Sequence, residues 1–156
     1  MLLALLTAAQ AVASPPTLAP FKPLVGSCWR ASFSATTTDT HCFEAMYGGA
    51  HIRDRHEVKE KGNTVYAGET IYSVDGPDLV FTYVNSLGGV GLGKVGSTDR
   101  SLGFTGTLRA SPDKPEQPID SEWKLLSPDS YEVQSMIRTK SDKLPPALTF
   151  RRVKRP

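Results

Sequence analysis

The sequence predicts an all-β protein, a single antiparallel up-and-down barrel of about ten strands with a short N-terminal turn or helix closing one end. Three observations carry that reading. Short runs of β-formers recur between turn residues, and after residue 26 no segment sustains a helical period. Alternate positions of these runs sort into one aromatic, apolar face and one charged face, as in a sheet with a dry side and a wet side. The stretch from Cys28 to His56 also admits one self-consistent register for its three strands. About ten strands satisfy both faces by closing on themselves, which removes exposed edges.

The elements follow in order. Residues 1–13 carry an apolar run from Leu2 to Leu6 and a small-x-small pattern, Ala11-Val12-Ala13, ahead of Ser14. That pattern reads as a signal peptide, too short to span a bilayer, although no Lys or Arg precedes the apolar run. A periplasmic or secreted location is therefore expected. Residues 14–26 are proline-rich and read as a linker and short closing segment, and residues 27–154 as the β-barrel domain. Strands are expected near 27–34, 40–47, 50–59, 64–74, 78–86, 89–96, 101–109, 118–126, 130–139 and 147–153. The turn clusters between them include Gly48-Gly49, Lys61-Gly62-Asn63, Asp75-Gly76-Pro77 and Ser127-Pro128-Asp129.

Register follows from the turns. A hairpin across Gly48-Gly49 sets Glu44 opposite Arg53, Phe43 opposite Asp54 and His41 opposite His56. Pairing Cys28 with Cys42 sets Trp29 opposite His41. A three-residue loop at Lys61-Gly62-Asn63 opposes His56 to Gly68, and a turn at Asp75-Gly76 opposes Tyr72 to Leu79 and Thr70 to Phe81. One face then holds Trp29, His41, Phe43, Asp54, His56, Tyr66, Thr70, Tyr72, Leu79, Phe81 and Tyr83, continued by Phe104, Ile119, Trp123, Tyr131, Ile137 and Phe150. The other holds Arg30, Glu44, Arg53, Arg55, Glu57, Asp120, Glu122, Lys124, Glu132 and Arg138. Two cysteines in an exported chain imply one disulfide, worth about 3 kcal/mol in the chain-entropy view. The competing reading is two buried free thiols in a cytosolic barrel.

Leu24-Val25-Gly26-Ser27-Cys28-Trp29 resembles the opening of the lipocalins and fatty-acid-binding proteins, where a glycine shortly precedes a barrel-closing tryptophan. Phe150-Arg151-Arg152-Val153 is similar to the last strand of the same calycin superfamily, which often sets an arginine over that tryptophan. The spacing here is one residue longer than the usual Gly-x-Trp. The strand number is closer to the ten-stranded fatty-acid-binding and nitrobindin barrels than to eight-stranded lipocalins. The resemblance implies a small apolar or amphipathic molecule bound inside the barrel. Nitrobindin-type barrels hold haem through a histidine late in the chain, and no histidine follows His56, so haem is not expected, His41 and His56 being the residues that could serve in principle.

His41, Asp54 and His56 form the imidazole–carboxylate group that the register brings together. Its bland reading is a set of hydrogen-bonded polar groups in a wet barrel. Sharper readings are ligand contact, metal ligation or acid–base chemistry. His51 falls on the outer face. The run from Gly88 to Gly96 contains a formal G-x-G-x-x-G, but a strand follows rather than a helix, so curvature or a bare backbone is expected instead of a nucleotide site. No Gly-x-Ser-x-Gly is present. The net charge of +2 indicates neither a nucleic-acid footprint nor an acidic-substrate funnel. The basic tail Arg151-Arg152-Val153-Lys154-Arg155 reads as a solvated chain end.

The sequence thus favours an exported, monomeric or weakly dimeric barrel that binds a small hydrophobic or amphipathic molecule and calls for no cofactor, metal or nucleic acid. The expected apolar wall is Trp29, Phe43, Tyr66, Tyr72, Phe81, Tyr83, Phe104 and Trp123, with His41, Asp54, His56 and Arg152 meeting a polar head group. The alternatives are an interaction module with a filled barrel and a small isomerase or cyclase using His41 or His56 as base. An interior cavity of about 300 Å³ or more separates the binder from the filled module.

Overall fold

The computed structural model describes residues 16–137 and 143–154. The expected signal peptide, residues 1–13, lies outside the described residues, as do Arg138 and Arg155. The strands are β1 (Cys28–Ser32), β2 (Thr37–Met46), β3 (His51–Glu60), β4 (Asn63–Asp75), β5 (Asp78–Asn85), β6 (Val90–Ser97), β7 (Ser101–Arg109), β8 (Glu116–Ser127), β9 (Ser130–Ser135) and β10 (Leu148–Val153). They form one closed antiparallel barrel in which each strand pairs with its chain neighbours and β10 returns to β1. The closing register sets Trp29 opposite Arg152.

The register expected for the first three strands is the one observed. Cys28 pairs with Cys42, Trp29 with His41, His41 with His56, Phe43 with Asp54 and Glu44 with Arg53. A disulfide joins Cys28 to Cys42. On the outer face the Arg53 guanidinium hydrogen-bonds the Glu44 carboxylate, and His51 Nδ1 lies 2.7 Å from Ser73 Oγ.

Several local details differ from expectation. The β2–β3 connection is not a two-residue hairpin at Gly48-Gly49 but runs from Tyr47 to Ala50. It holds a 3-10 turn at Tyr47–Gly49 in which both glycines take positive φ, and it leaves the register unchanged. The β4–β5 loop is Gly76-Pro77, not Asp75-Gly76, so Tyr72 pairs with Phe81 and Thr70 with Tyr83. Gly76 takes the positive φ of +55° that the turn requires, and Pro77 has no N–H to give the ladder. The shift is two residues, so every side chain keeps its face. The β3–β4 loop is Lys61-Gly62, both with positive φ, and a bulge shifts the register between Val58 and Lys59. Loop and bulge together still bring His56 opposite Gly68. Lastly, β2 starts at Thr37 rather than near residue 40, because the turn before it is tighter. Ser34 Oγ accepts hydrogen bonds from the Thr36 and Thr37 amides at 3.2 and 3.1 Å, releasing the β-branched run that follows into the ladder. Ile137, expected inside, is exposed beyond the end of β9.

The interior is aromatic. Trp29, Phe43, Tyr72, Phe81, Phe104, Tyr131 and Phe150 are all buried. Phe150 stacks on Tyr131 at 5.0 Å, Tyr131 on Trp123 at 5.4 Å, and Phe104 approaches Trp123 at 4.6 Å. Each such pair contributes about 0.5–1.5 kcal/mol beyond its area burial. A 3-10 turn at Ala19–Phe21 caps one end of the barrel. Its Phe21 is fully buried and stacks on Tyr72 at 4.2 Å, and Leu24 is buried beside it. Trp29 Nε1 donates to the Leu24 carbonyl at 3.2 Å. The opposite end, formed by the β1–β2, β3–β4, β5–β6, β7–β8 and β9–β10 connections, carries no such plug among the described residues.

Candidate functional site

Toward the unplugged end, the inner faces of β2, β3, β4 and β5 deliver a chain of polar side chains. Alternation puts Asp39 and His41 on β2 and Asp54 and His56 on β3 all inward. His41 Nδ1–H donates to Asp54 Oδ2 at 2.7 Å, and its Nε2 faces Asp39 Oδ2 at 3.2 Å. The other Asp39 oxygen, Oδ1, lies 3.3 Å from His56 Nδ1. The far nitrogen of that ring, Nε2, is 3.0 Å from the Tyr83 hydroxyl, which in turn hydrogen-bonds the Tyr66 hydroxyl. The two imidazoles stack with centroids 4.8 Å apart.

Gly68 makes this arrangement possible. It faces inward between His56 and Asn85, and a Cβ there would lie 2.5 Å from both His56 Nε2 and the Tyr83 oxygen. Any side chain at residue 68 would stand where the His56–Tyr83 hydrogen bond now lies.

The electrostatics follow from burial opposed by close partners. Burial alone would push the His41 imidazole down. The Asp54 charge, hydrogen bonds to Asp39 and Asp54, and the Asp39 charge outweigh it and push His41 up to about 10. Burial would raise the Asp39 carboxyl, yet hydrogen bonds from His41 and His56, with their charges, hold it well below the usual carboxylate range. Tyr83 moves well above the usual phenol range through burial, its bond to Tyr66 and the nearby carboxylates, so its hydroxyl keeps its proton. His41 is thus an imidazolium clamped between two carboxylates. A buried ion triad of this kind adds little net stability, but removing one partner costs about 3–5 kcal/mol. The Asp54 Oδ1 atom is buried and has no hydrogen-bond partner.

Against this polar chain lies a cavity of about 220 Å³, lined by His41, Asp54, His56, Thr70, Tyr72, Phe81, Tyr83, Phe104, Leu108, Ile119, Ser121 and Trp123. It is smaller than the roughly 300 Å³ expected of a binder as against a barrel filled by its own side chains. The closing segment explains part of the difference, since Phe21 and Leu24 occupy the other end of the interior. A larger cleft of about 580 Å³ lies outside the barrel between Leu18, Lys22, Val25, Ala45 and Ile52, without convergent ionisable groups.

Of the expected site residues, His41, Asp54, His56, Tyr72, Phe81, Tyr83, Phe104 and Trp123 share the cavity wall. Tyr66 reaches the site through its hydroxyl on Tyr83. Phe43 is fully buried behind His41 and Trp123. Trp29 and Arg152 stand at the plugged end, where the guanidinium lies 4.5 Å over the indole and donates to the Pro23 and Pro128 carbonyls. Asp39, Gly68 and Ser121 were missed. Asp39 shares the parity of His41 and is hidden only by the late start expected for β2. Gly68 was already placed opposite His56, and a glycine facing a histidine inside a barrel is itself a sign of space. Ser121 shares the inward parity of Ile119 and Trp123 and is hidden only by being small and polar.

The Gly88–Gly96 run is the β5–β6 connection and β6 itself, without a helix. Its Gly93 faces Gly106 of β7, and a Cβ at either would collide with the other strand's backbone, 2.2 Å from the Thr105 or Leu92 carbonyl oxygen. These glycines let two strands approach closely, as expected for curvature.

No family model matches the chain, and no curated protein does. Among the described residues no helix is long and apolar enough to cross a membrane. A solved structure, that of Rv2717c from M. tuberculosis, is similar at 16% identity with a TM-score of 0.62, covering 89% of this chain and 98% of that one. At that identity the likeness establishes a shared fold, a closed ten-stranded antiparallel barrel, and nothing finer.

Proposed function

We propose that this chain is an exported barrel of the calycin type that binds one small apolar or amphipathic molecule in its interior. The observation that carries this reading is the interior cavity of about 220 Å³, with aromatic walls and an ionised His–Asp group on one side. A dry apolar cavity of about 150 Å³ suffices to hold benzene, so the volume suits an occupant of one or two rings, or a short chain. Phe81, Phe104, Ile119 and Trp123 would meet its apolar part, and Asp54, His56 and Tyr83 its polar group. The Cys28–Cys42 disulfide supports an oxidising compartment, in keeping with the leader-like residues 1–13. The cavity falls short of the roughly 300 Å³ that would by itself separate a binder from a filled module, so the reading rests on the convergence of polar groups with apolar walls.

Ser121 lines the cavity without belonging to its hydrogen-bonded chain, so Ser121→Phe fills the space and leaves the ions in place. Native mass spectrometry of the gently purified protein, followed by titration with indole and phenol, tests the reading. A bound small molecule or saturable binding in the wild type, reduced at least tenfold in Ser121→Phe, is expected. No bound molecule and no saturable binding, or binding indifferent to Ser121→Phe, would sink the proposal.

A further inference from the structure

We propose that Asp39, His41 and His56 form a binding site for a divalent transition metal ion, with zinc as the reference case, at the unplugged end of the barrel. One ligand atom from each residue comes together, all within 4.8 Å of one another. Metal–ligand bonds of about 2.0–2.2 Å place neighbouring ligand atoms roughly 3–3.6 Å apart. Asp39 meets each histidine through a different oxygen, Oδ2 lying 3.2 Å from His41 Nε2 and Oδ1 3.3 Å from His56 Nδ1, and both separations fall in that interval. Both exceed the roughly 2.7–2.9 Å of charge-assisted hydrogen bonds. The His41–Asp54 contact, at 2.7 Å, does not.

A second observation is independent of those distances. Each imidazole turns one nitrogen to Asp39 and has the other held from behind, His41 by Asp54 and His56 by Tyr83. Histidines that bind metals are oriented in this way, by a carboxylate or another polar group on the nitrogen that faces away from the ion. The charge count agrees. Asp39 and Asp54 are two carboxylates largely withdrawn from water, with side chains 10% and 2% exposed, and a divalent ion that displaces the His41 Nε2 proton into solvent balances them. Two histidines and one carboxylate suit zinc, iron(II), cobalt(II) or nickel(II) and are a poor set for calcium or magnesium. His41 and His56 also line the cavity, so coordination positions that the protein leaves open adjoin it. The site stands independently of the organic ligand proposed above, because its ligand atoms converge whether or not the cavity is filled.

The test uses the full chain, stripped with a chelator and titrated with zinc by calorimetry and with cobalt by visible absorption. One equivalent is expected, with cobalt d–d bands of a four- or five-coordinate ion. Asp39→Asn and His56→Gln should each weaken zinc at least tenfold, Asp54→Asn about 10–100-fold, and His51→Ala not at all. Circular dichroism melts check that each variant folds. Should a variant unfold, imidazole ¹⁵N spectra of the wild type decide, since zinc must shift His41 and His56 and leave His51 in place. Zinc binding that survives Asp39→Asn, that follows His51, or that leaves the His41 and His56 nitrogens unmoved would overturn the proposal.

Discussion

The two ends of this barrel solve the same problem in opposite ways. Both receive inward side chains from every strand, and both must satisfy them away from water. At the plugged end the chain supplies its own occupant. Phe21 and Leu24 enter the interior, Phe21 stacks on Tyr72, and Trp29 finds the Leu24 carbonyl for its indole N–H. At the unplugged end no segment of the described chain plays that part, and Asp39, His41, Asp54, His56 and Tyr83 hydrogen-bond one another instead, with Asp54 Oδ1 left unpaired. Apolar burial is non-directional and tolerates any filler of suitable shape. Buried charges demand specific partners, so the polar end is set in geometry and poised for an occupant of complementary chemistry.

The comparison can be broken or sharpened by substitution. The largest expected effect is at the plug. Phe21→Ala leaves a cavity beneath Tyr72 and should lower stability by about 3–5 kcal/mol in urea denaturation. Binding of a small aromatic at the other end should persist at denaturant concentrations where the variant is still folded. Loss of binding in the folded variant would mean that the two ends are coupled. A smaller cost is expected for Gly68→Val at the polar end, about 1–3 kcal/mol from overpacking against His56 and Tyr83. Its signature is different, because it should abolish cavity binding even where the melt is only modestly lowered. A Gly68→Val protein that binds as well as wild type would show that the His56–Tyr83 bond is dispensable. Smallest is Arg152→Leu, which removes an exposed guanidinium from the Trp29 ring and should cost about 1 kcal/mol. A changed Trp29 fluorescence with unaltered cavity binding is the expected readout.

Much of the barrel is legible residue by residue. Trp29, His41, Phe43, Asp54 and His56 share a face because alternation is a property of each strand alone, and the connection from Tyr47 to Ala50, though longer than the two-residue hairpin expected, keeps the same pairing. Even the β4–β5 error cost nothing at the site, since Gly76-Pro77 shifts the register by two and keeps parity. Asp39 was lost through a boundary. Whether Thr36 to Thr40 is turn or strand depends on Ser34 capping the turn, which no periodicity reports. Arg152 shows the converse, because its place beside the first-strand tryptophan was expected while its distance from the cavity was not.

Strand positions, inward parity and the meeting of His41 with His56 were therefore written in the order of residues, because each rests on a two-residue period and short turns. The remaining space inside the barrel was not. Its volume depends on how far Phe21 enters from one end and on how Trp123, Phe104 and Phe81 meet from strands remote in sequence. It depends as well on Gly68 leaving room for His56 and Tyr83. Packing across an interior is a sum over distant partners, so only the closed barrel decides whether its centre is filled, polar or open.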